Sequence, residues 1–430
     1  MTGQPYDVAI VGLGPTGATL ANLCGSWGLR TVVFERSNAP YPQPRACHLD
    51  AEIARVLQHL GFEDDLDRVL TVSAGMEYVD ADGTQLFTFE GFEREPILGW
   101  HEDYVFIQPE LDTMLRAGLE QYQHVEVRIG AEAPGIDSLR ELARFVVAAD
   151  GAGSQVREHL DIRLHDLGFD ERWLVVDVML NDTAVPDLPA IIQQVCDRRR
   201  LATFVPSHAA HRRWEFRLAE DEPVPDVWRL VAPWGVTAAN AQLVRAVGYR
   251  FHALVAERWR DGNVFLAGDA AHQMPPFMGQ GMCSGIRDAA NLAWKFAEVI
   301  HDGADEALLD TYEAERRPHL EHVTQLSIEA GSLLSKLAVD PTTLPEPDRP
   351  DPTRWSRLPG LDLGGEFPVG HQLPQPDRLD EGLPDGWAWV AADDTFVAPD
   401  HRPVIVEPRA TYGCRAVLVR PDRYIAAVER

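Results

Sequence analysis

The stretch YDVAIVGLGPTG, residues 6–17, decides the fold of this chain. Its first half is short, mostly apolar and rich in β-branched side chains, which predicts a buried strand. The second half is a GxGxxG turn whose glycines have separate tasks. Gly12 permits the tight turn, Gly14 lets the backbone approach a pyrophosphate, and Gly17 lets the next helix pack closely on the strand. The stretch therefore predicts the phosphate-binding turn of a dinucleotide site.

The residues after this turn complete a βαβ unit. A helical run over 18–27 ends at Gly28, and TVVF at 31–34 predicts a second strand that closes with Glu35. A carboxylate at that position accepts hydrogen bonds from ribose hydroxyls. A glycine-rich turn in another kind of α/β protein is the alternative, which the flanking strands and the spaced acid disfavour. The fingerprint by itself does not separate NAD from FAD.

Two later strands end in acidic turns. RFVVAA at 144–149 is followed by Asp-Gly at 150–151, and VFLA at 264–267 is followed by Gly-Asp at 268–269. Ligands of open α/β sheets bind at the carboxyl ends of the strands. A loop rich in Pro and Gly comes next, and apolar residues then recur at helical spacing over 286–300. The free N–H groups of a helix start predict a site for a ligand that carries negative charge.

Composition and charge limit the classes of function. The chain has 430 residues, enough for two or three domains, and a net charge of −28. This negative charge argues against nucleic acids and anionic membranes as partners, because their binding requires clustered Lys and Arg. Its five cysteines are odd in number, widely spaced and without a CxxC pair, so we expect reduced thiols and no metal site. Because we find no leader-like start and no membrane-spanning apolar run, we expect a cytoplasmic protein.

The pattern changes near residue 161, where an antiparallel sheet is predicted. Its strand-like runs lie at 173–180, 201–205 and 213–218. In the last run Trp214 and Phe216 lie on one face, and we expect that face to cover a core or a substrate pocket. His208 and His211 form an HxxH pair with no third ligand, so we expect solvated side chains there.

Three separated motifs resemble those of the single-component FAD-dependent aromatic hydroxylases. They are GLGPTG at 12–17, the Asp-Gly strand end at 150–151, and AGDAAHQMPPFMGQGM at 267–282. The likeness is greatest to the 3-(3-hydroxyphenyl)propionate hydroxylase group and covers residues 6–333. Because the three motifs occur in the order of that family, the resemblance implies FAD and not NAD as the bound cofactor.

The resemblance also implies roles for individual residues. The implied cofactor-binding residues are Gly12, Gly14, Pro15, Thr16, Gly17, Glu35, Arg36, Arg45, Gln108, Asp150, Gly268, Asp269, Pro276, Gly279, Gln280, Gly281 and Met282. Arg45 and Gln108 match positions that contact the pyrophosphate and the ribityl chain. Asp150 belongs to a motif associated with both FAD and NAD(P)H, and Asp269 matches a ligand of the ribityl hydroxyls. The expected substrate pocket contains Trp214, Phe216, Met274 and Pro275.

The implied reaction is the hydroxylation of a small phenol by O₂. NADH or NADPH reduces FAD, and a hydroperoxide at flavin C4a then transfers oxygen to the ring, ortho to the hydroxyl in a 3-hydroxyphenylpropionate-like compound. No second glycine-rich fingerprint is present, so the nicotinamide is expected to bind transiently. His48 and His101 are candidates for the base by chemistry alone. The chain is also expected to be able to form a homodimer.

Three other readings of the same motifs remain. A related flavoenzyme that oxidises a polyketide or performs Baeyer–Villiger oxidation shares every motif above. A flavin halogenase is disfavoured because its WxWxIP signature is missing from Trp387-Ala388-Trp389 and the residues that follow. A non-catalytic FAD-binding protein is the third alternative.

The expected fold is α/β. It comprises a Rossmann-like FAD-binding domain over 1–160 and 245–335, with an inserted antiparallel-sheet substrate domain over 161–244 that includes part of 70–105. A linker is expected at 336–350. Residues 351–430 resemble a shortened thioredoxin-like domain without its CxxC, apparently truncated.

Overall fold

The computed structural model describes residues 5–89, 96–181, 188–343 and 361–430. Parts of the predicted linker, substrate domain and C-terminal domain therefore lie outside the described residues. These parts are 90–95, 182–187, 344–350 and 351–360.

The described residues form the following strands and α-helices, given in chain order. The strands are β1 (Tyr6–Val11), β2 (Thr31–Glu35), β3 (His48–Asp50), β4 (Leu70–Val72), β5 (Met76–Asp80), β6 (Gln85–Phe89), β7 (Asp103–Phe106), β8 (Val125–Ile129), β9 (Ala143–Ala148), β10 (Leu164–Leu180), β11 (Ile192–Cys196), β12 (Ala202–Val205), β13 (His211–Arg217), β14 (Ala241–Ala256), β15 (Arg260–Asp261), β16 (Val264–Leu266), β17 (His272–Gln273), β18 (Ala388–Ala391), β19 (Val404–Val406), β20 (Ala416–Val419) and β21 (Ile425–Glu429). The α-helices are α1 (Pro15–Ser26), α2 (Ala51–His59), α3 (Glu63–Val69), α4 (Gln108–Gly118), α5 (Ile136–Leu142), α6 (Gln155–His159), α7 (Val227–Val231), α8 (Gln280–His301) and α9 (Thr311–Val339).

The first sheet is a Rossmann-like sheet with the order β15-β16-β9-β1-β2-β8. Its strands from β16 to β8 pair in parallel, and β15 pairs antiparallel with β16 at the edge. The central strands β16, β9, β1 and β2 are mostly buried and apolar, as a parallel sheet covered by helices requires, whereas the edge strands β8 and β15 are partly exposed. Because these strands are parallel, their carboxyl ends meet at one edge, where the predicted turns after β1, β9 and β16 come together.

The second sheet has eight strands in the order β17-β14-β10-β13-β12-β11-β5-β6. Strands β5 and β6 join it, as expected for part of 70–105. Strand β14 covers residues 241–256, so the predicted boundary between 244 and 245 falls inside a strand. The reason is that β14 pairs with β10 along nearly its whole length. The change of composition near residue 245 therefore does not mark the end of this strand.

The third and fourth sheets are smaller. Strands β3, β7 and β4 form an antiparallel sheet next to the first two. At the C-terminus the order is β19-β18-β20-β21, with β18 parallel to β19 and antiparallel to β20. Among the described residues of 361–430 we find no α-helix, and the expected thioredoxin-like domain stays a prediction.

The C-terminal sheet packs on the nucleotide-binding half through buried charges. The guanidinium of Arg55 on α2 binds both carboxylate oxygens of Asp380 at 2.6 Å. Helix α9 continues to Val339, so the first residues of the predicted linker are helical, because Leu334 and Leu337 are buried in a core cluster. No α-helix in the described parts of the chain is both long and apolar enough to cross a membrane.

Candidate active site

The turn after β1 combines close packing with open space. Gly12 has φ +100°, and a Cβ there would lie 2.3 Å from the carbonyl oxygen of Ala149. A Cβ on Gly17 would lie 2.1 Å from the oxygen of Gly12. By contrast, a Cβ on Gly14 would meet no protein atom within 4 Å, although Gly14 stands at the start of α1. The N–H groups of this helix start therefore face space that a phosphate can occupy.

Glu35 lies at the end of β2, beside this turn. Its Oε2 accepts the N–H of Leu13 at 2.9 Å and its Oε1 accepts the N–H of Ser37 at 2.7 Å. Each carboxylate oxygen has a second lone pair, so these bonds leave capacity for ribose hydroxyls. The side chain of Arg36 is exposed.

Gln108 fixes the loop that carries Arg45. The Gln108 Oε1 accepts the backbone N–H groups of Arg45 at 3.1 Å and Ala46 at 2.8 Å. The Arg45 side chain is exposed, with its guanidinium 4.6 Å from the ring centre of Tyr41, and within the described residues it has no ion pair. Behind Gln108, burial raises the pKa of the Asp112 carboxyl to about 6. Gln108 thus orders the backbone and leaves the Arg45 charge available to a phosphate.

Two carboxylates border the same cleft. Asp150 Oδ2 accepts the N–H of Val156 at 3.3 Å, whereas its buried Oδ1 has no hydrogen-bond partner in the described residues. The surface of Asp269 is accessible to solvent, although many protein atoms surround it. This partial desolvation raises the pKa of its carboxyl, and the charges of His272 and Arg45 partly offset the effect. An accessible carboxylate surrounded by protein lies on the wall of a cleft, and an unsatisfied buried oxygen calls for a donor.

The turn at Gly268 is held between α1 and α8. A Cβ on Gly268 would lie 2.6 Å from Thr16 Oγ1. Asp288 of α8 accepts the Gly268 N–H at 3.0 Å, and its carboxylate also binds His272 Nε2 at 2.6 Å and Arg316 Nε at 3.0 Å. Burial would raise the pKa of the Asp288 carboxyl, but the charges of His272 and Arg316 outweigh it and lower the pKa. Asp288 therefore fixes the position of the Gly-Asp turn.

The loop before α8 ends at an uncapped helix start. Gly279 has φ +66° and is the N-cap residue of α8, with no side-chain hydrogen bond to the first turn. The Gln280 side chain points into the protein, where its Oε1 accepts from Arg287 Nη1 at 2.9 Å. Of the other predicted loop residues, Pro275 is buried, and four are partly exposed: Met274, Pro276, Gly281 and Met282. The free N–H groups of α8 and its positive dipole end face the same loop.

His48 lies beside this helix start. A Cβ on Gly279 would lie 2.6 Å from His48 Nδ1, and His48 Nε2 is 2.7 Å from Asp103 Oδ1. Burial would lower the pKa of the imidazole, but the hydrogen bond to Asp103 outweighs it and holds that pKa well above 6.5. His101 is exposed, with its ring against Tyr104, so the structure does not bring it to His48.

The expected pocket role of Trp214 and Phe216 is wrong. Trp214 is fully buried and Phe216 nearly so, in a core cluster. The ring of Trp214 lies 5.1 Å from that of Phe204 and 5.8 Å from that of Trp234. The physical reason is that α7 and the turn after it cover this face of the sheet. The predicted alternation of aromatic and charged side chains along β13 is present, but the aromatic face packs in the core and does not line a pocket.

The opposite face of the same sheet carries a buried charged network. The Asp177 carboxylate binds Arg213 Nε at 2.8 Å, Arg245 Nε at 2.8 Å and His211 Nε2 at 3.0 Å. Burial would raise the pKa of Asp177, but these neighbours outweigh it and hold the pKa far below its usual range. Arg213 also donates to the backbone carbonyl of Arg45 at 2.6 Å. The expectation that His211 is solvated is wrong, because the network buries it.

The sequence-based reasoning missed four polar residues that organise the site. These residues are Asp103, Asp177, Arg287 and Asp288. Asp288 lies on the side of a predicted helix that also carries Ser284, Asn291 and Lys295, so the apolar pattern gives no signal for it. For the others the partners are more than thirty residues away along the chain, so no local pattern identifies them.

Comparisons with known proteins show the family to which the chain belongs. The family model described as FAD binding domain matches residues 5–327. A protein named probable NADH-specific resorcinol 4-hydroxylase, from Rhodococcus jostii, is 40% identical over 351 residues, covering 76% of this chain and 65% of that protein. A 3-(3-hydroxy-phenyl)propionate/3-hydroxycinnamic acid hydroxylase from Burkholderia cenocepacia is 37% identical over 350 residues, covering 76% and 64%. The chain thus spans less than two thirds of the length of these relatives.

A solved structure has the same overall fold. The crystal structure of aklavinone-11 hydroxylase with FAD and aklavinone matches with a TM-score of 0.79 at 22% identity, covering 100% of this chain and 96% of that chain. At this identity the likeness concerns the fold, and it confirms the predicted fold class.

Proposed function

Because the chain belongs to the FAD binding domain family, we propose that it is an FAD-dependent monooxygenase that hydroxylates a phenol, with NADH or NADPH as electron donor and O₂ as oxygen source. When bound, FAD would supply the redox chemistry, with two electrons from the nicotinamide used on O₂ so that one oxygen atom enters the ring and the other leaves as water. The protein binds the cofactor, orients the substrate, excludes water and controls protons.

One observation carries the proposal: the groups that FAD requires converge on one cleft. The open space at Gly14 suits the pyrophosphate, and the charge of Arg45, which has no ion pair among the described residues, suits its negative charge. The unsatisfied oxygen of Asp150 and the accessible carboxylate of Asp269 suit hydroxyl groups of the ribityl chain and ribose. The cleft lies at the carboxyl edge of the parallel sheet, where such ligands bind.

The start of α8 suits the redox end of the cofactor. Its first N–H groups have no side-chain cap, so they can donate to the oxygen of the flavin ring where negative charge accumulates on reduction. The preceding loop packs firmly, since the ring of Phe277 lies 5.5 Å from that of Trp173. This packing closes one side of the cleft to water.

The substrate that we propose is a phenol with a second substituent at the meta position. Resorcinol and 3-(3-hydroxyphenyl)propionate, which appear in the names of the two relatives, share that feature. Oxygen transfer occurs ortho or para to a hydroxyl, because the phenol oxygen makes those ring carbons electron-rich. His48, in the neutral form that it takes above its raised pKa, is the proposed proton acceptor for the phenol, with Asp103 to hold its ring.

The test is reconstitution with FAD, followed by NADH or NADPH oxidation assays with a panel of phenols and identification of the products. We expect a yellow protein whose oxidation rate rises with a meta-substituted phenol and which releases a ring-hydroxylated product. A protein that stays colourless after incubation with FAD contradicts the proposal. A lactone or ester product would instead assign Baeyer–Villiger oxidation, and binding of FAD without substrate-stimulated turnover would assign a non-catalytic role.

A further inference from the structure

Glu215 is a carboxylate on the charged face of β13 that the buried network does not use. It pairs across the sheet with Val175 and Thr203, whose side chains point to the same side. It makes no hydrogen bond or ion pair within the described residues, although Asp177 and Arg213 lie one position further along the same face. A carboxylate in this setting requires a donor that the described residues do not provide.

The neighbours of Glu215 along the sheet contact both loops of the proposed flavin cleft. Two residues before it, Arg213 donates to the carbonyl oxygens of Pro44 and Arg45 at 2.7 and 2.6 Å. On the other side, Trp173 packs against Phe277 in the loop before α8. Residues two apart on one face of a strand are separated by about 6.7 Å. Glu215 therefore faces the space between the 44–45 loop and the 276–278 loop.

That space is accessible although it is surrounded by protein. Glu215 is partly exposed, while Arg213, Val175 and Thr203 around it are buried. Burial raises the pKa of the Glu215 carboxyl, and the positive charge of Arg213 only partly offsets it. We infer that this side chain, accessible and also partly desolvated, lies in a recess between the two loops. Val247, opposite Val175 on the same face, is exposed as well and adds an apolar wall.

The cations on this face are already paired. Arg213 and Arg245 both bind Asp177, and the guanidinium of Arg217 is 2.8 Å from Glu171. Among the described residues of this face, Glu215 is the charged residue that has no ion-pair partner. A substrate carboxylate placed beside it would meet a like-charged group in a partly desolvated recess, which is unfavourable. A phenolic hydroxyl would donate the hydrogen bond that Glu215 lacks.

We propose that Glu215 binds a hydroxyl group of the substrate and thereby selects a neutral phenol, such as a benzenediol, over a phenol that carries a carboxylate. This inference rests on the proposed function and narrows its substrate class. Glu215 acts here as a substrate-binding residue, and the electron-rich ring that it orients is the acceptor of the oxygen atom.

The experiment compares two phenols in the FAD-loaded full chain and in the Glu215→Gln variant. Resorcinol and 3-(3-hydroxyphenyl)propionate are titrated against the oxidised protein, and the flavin absorbance change gives each Kd. In the wild type we expect resorcinol to bind at least about tenfold more tightly than the carboxylated phenol. In Glu215→Gln we expect the Kd and KM for resorcinol to rise about tenfold or more, because a hydrogen bond to a charged group is lost. The Kd of the carboxylated phenol should stay unchanged or fall.

Glu77→Gln is the matched control, because it changes a hydrogen-bonded carboxylate on the other face of the same sheet, where Glu77 accepts from Gln193 Nε2 at 2.7 Å. It should leave the ratio of the two Kd values within about twofold of the wild type. Tighter binding of the carboxylated phenol by the wild type, or an unchanged ratio in Glu215→Gln, overturns the inference while the proposed function stands. If neither phenol alters the flavin spectrum or stimulates NADH or NADPH oxidation in the wild type, the proposed function fails and the inference fails with it.

Discussion

His48 and Asp103 form a 2.7 Å contact across two antiparallel strands. His48 pairs in register with Val105, and Asp103 pairs with Asp50, so the two side chains are diagonal neighbours on one face of the ladder. The same imidazole lies against Gly279 at the start of α8. One residue therefore connects the small sheet with the proposed flavin site.

Asp103→Asn should weaken the protein in a pH-dependent way. The pKa of His48 is raised in the folded state, so the stability that this pair contributes is complete below about pH 6.5 and is lost as pH rises through the folded-state pKa. We expect the variant to lose about 1–3 kcal/mol of unfolding free energy at pH 6. The loss should shrink at alkaline pH, as measured by urea unfolding at several pH values. Asp65→Asn, which removes an exposed ion pair, is the control, and equal losses at all pH values would contradict the assignment.

Alanine substitutions should separate the tasks of the three glycines. Gly12→Ala and Gly17→Ala place a Cβ within 2.3 and 2.1 Å of backbone oxygens, so we expect losses of about 2–4 kcal/mol in stability. Gly14→Ala meets no protein atom, so its apoprotein should unfold at nearly the wild-type temperature. Its affinity for FAD should nevertheless fall at least about tenfold, because the methyl group occupies the space of the phosphate. Thermal melts and FAD titrations measure both effects, and normal FAD binding by Gly14→Ala would place the pyrophosphate elsewhere.

Arg213→Ala should cost far more stability than Arg217→Ala, the same change four residues later. Arg213 is buried against Asp177, and its loss leaves that carboxylate short of a partner, which costs about 3–5 kcal/mol. Arg217 is half exposed and pairs with Glu171, so Arg217→Ala should cost less than about 1 kcal/mol. Arg213→Ala should also weaken FAD binding, because the Arg45 loop loses its anchor. Denaturant unfolding and FAD titration of both variants test this order, and similar losses in the two would count against the network.

Glu315 should make the protein sensitive to acid. Burial would raise the pKa of its carboxyl, but the charges of Arg420 and Lys295 outweigh it and hold the pKa at about 2, below its ordinary 4.5. A lowered folded-state pKa gives stability that is present above about pH 4.5 and is lost as pH falls toward 2. The difference corresponds to about 3 kcal/mol.

Glu315→Gln should therefore be less stable than the wild type at pH 7 and nearly equal to it near pH 2. Because Arg420 belongs to the C-terminal segment, limited proteolysis at pH 7 should also release that segment faster from the variant. Exposed Glu321→Gln is the control, and a pH-independent difference from the wild type would refute the role of this ion pair.

Much of the nucleotide-binding half could be predicted from local pattern. The turn at Gly12, the acid at the end of β2 and the strand ends at Asp150 and Asp269 all depend on residues close together in the chain. Parallel strands then force these turns to one edge of the sheet. The boundaries of the inserted sheet were less predictable, because β10 and β14 pair over a long distance and the composition does not mark where their ladder ends.

The sequence by itself determined the phosphate-binding turn, the order of the three flavin motifs and the alternation of β13 between aromatic and charged residues. Only the tertiary structure decided which face of β13 another element covers. Helix α7 covers Trp214 and Phe216, so Arg213 and Glu215 lie on the face toward the 44–45 loop. The tertiary structure also decided that His48 meets Asp103 and that His211 is buried. The physical reason is that local periodicity fixes which side chains share a face, whereas the elements that pack against that face come from distant parts of the chain.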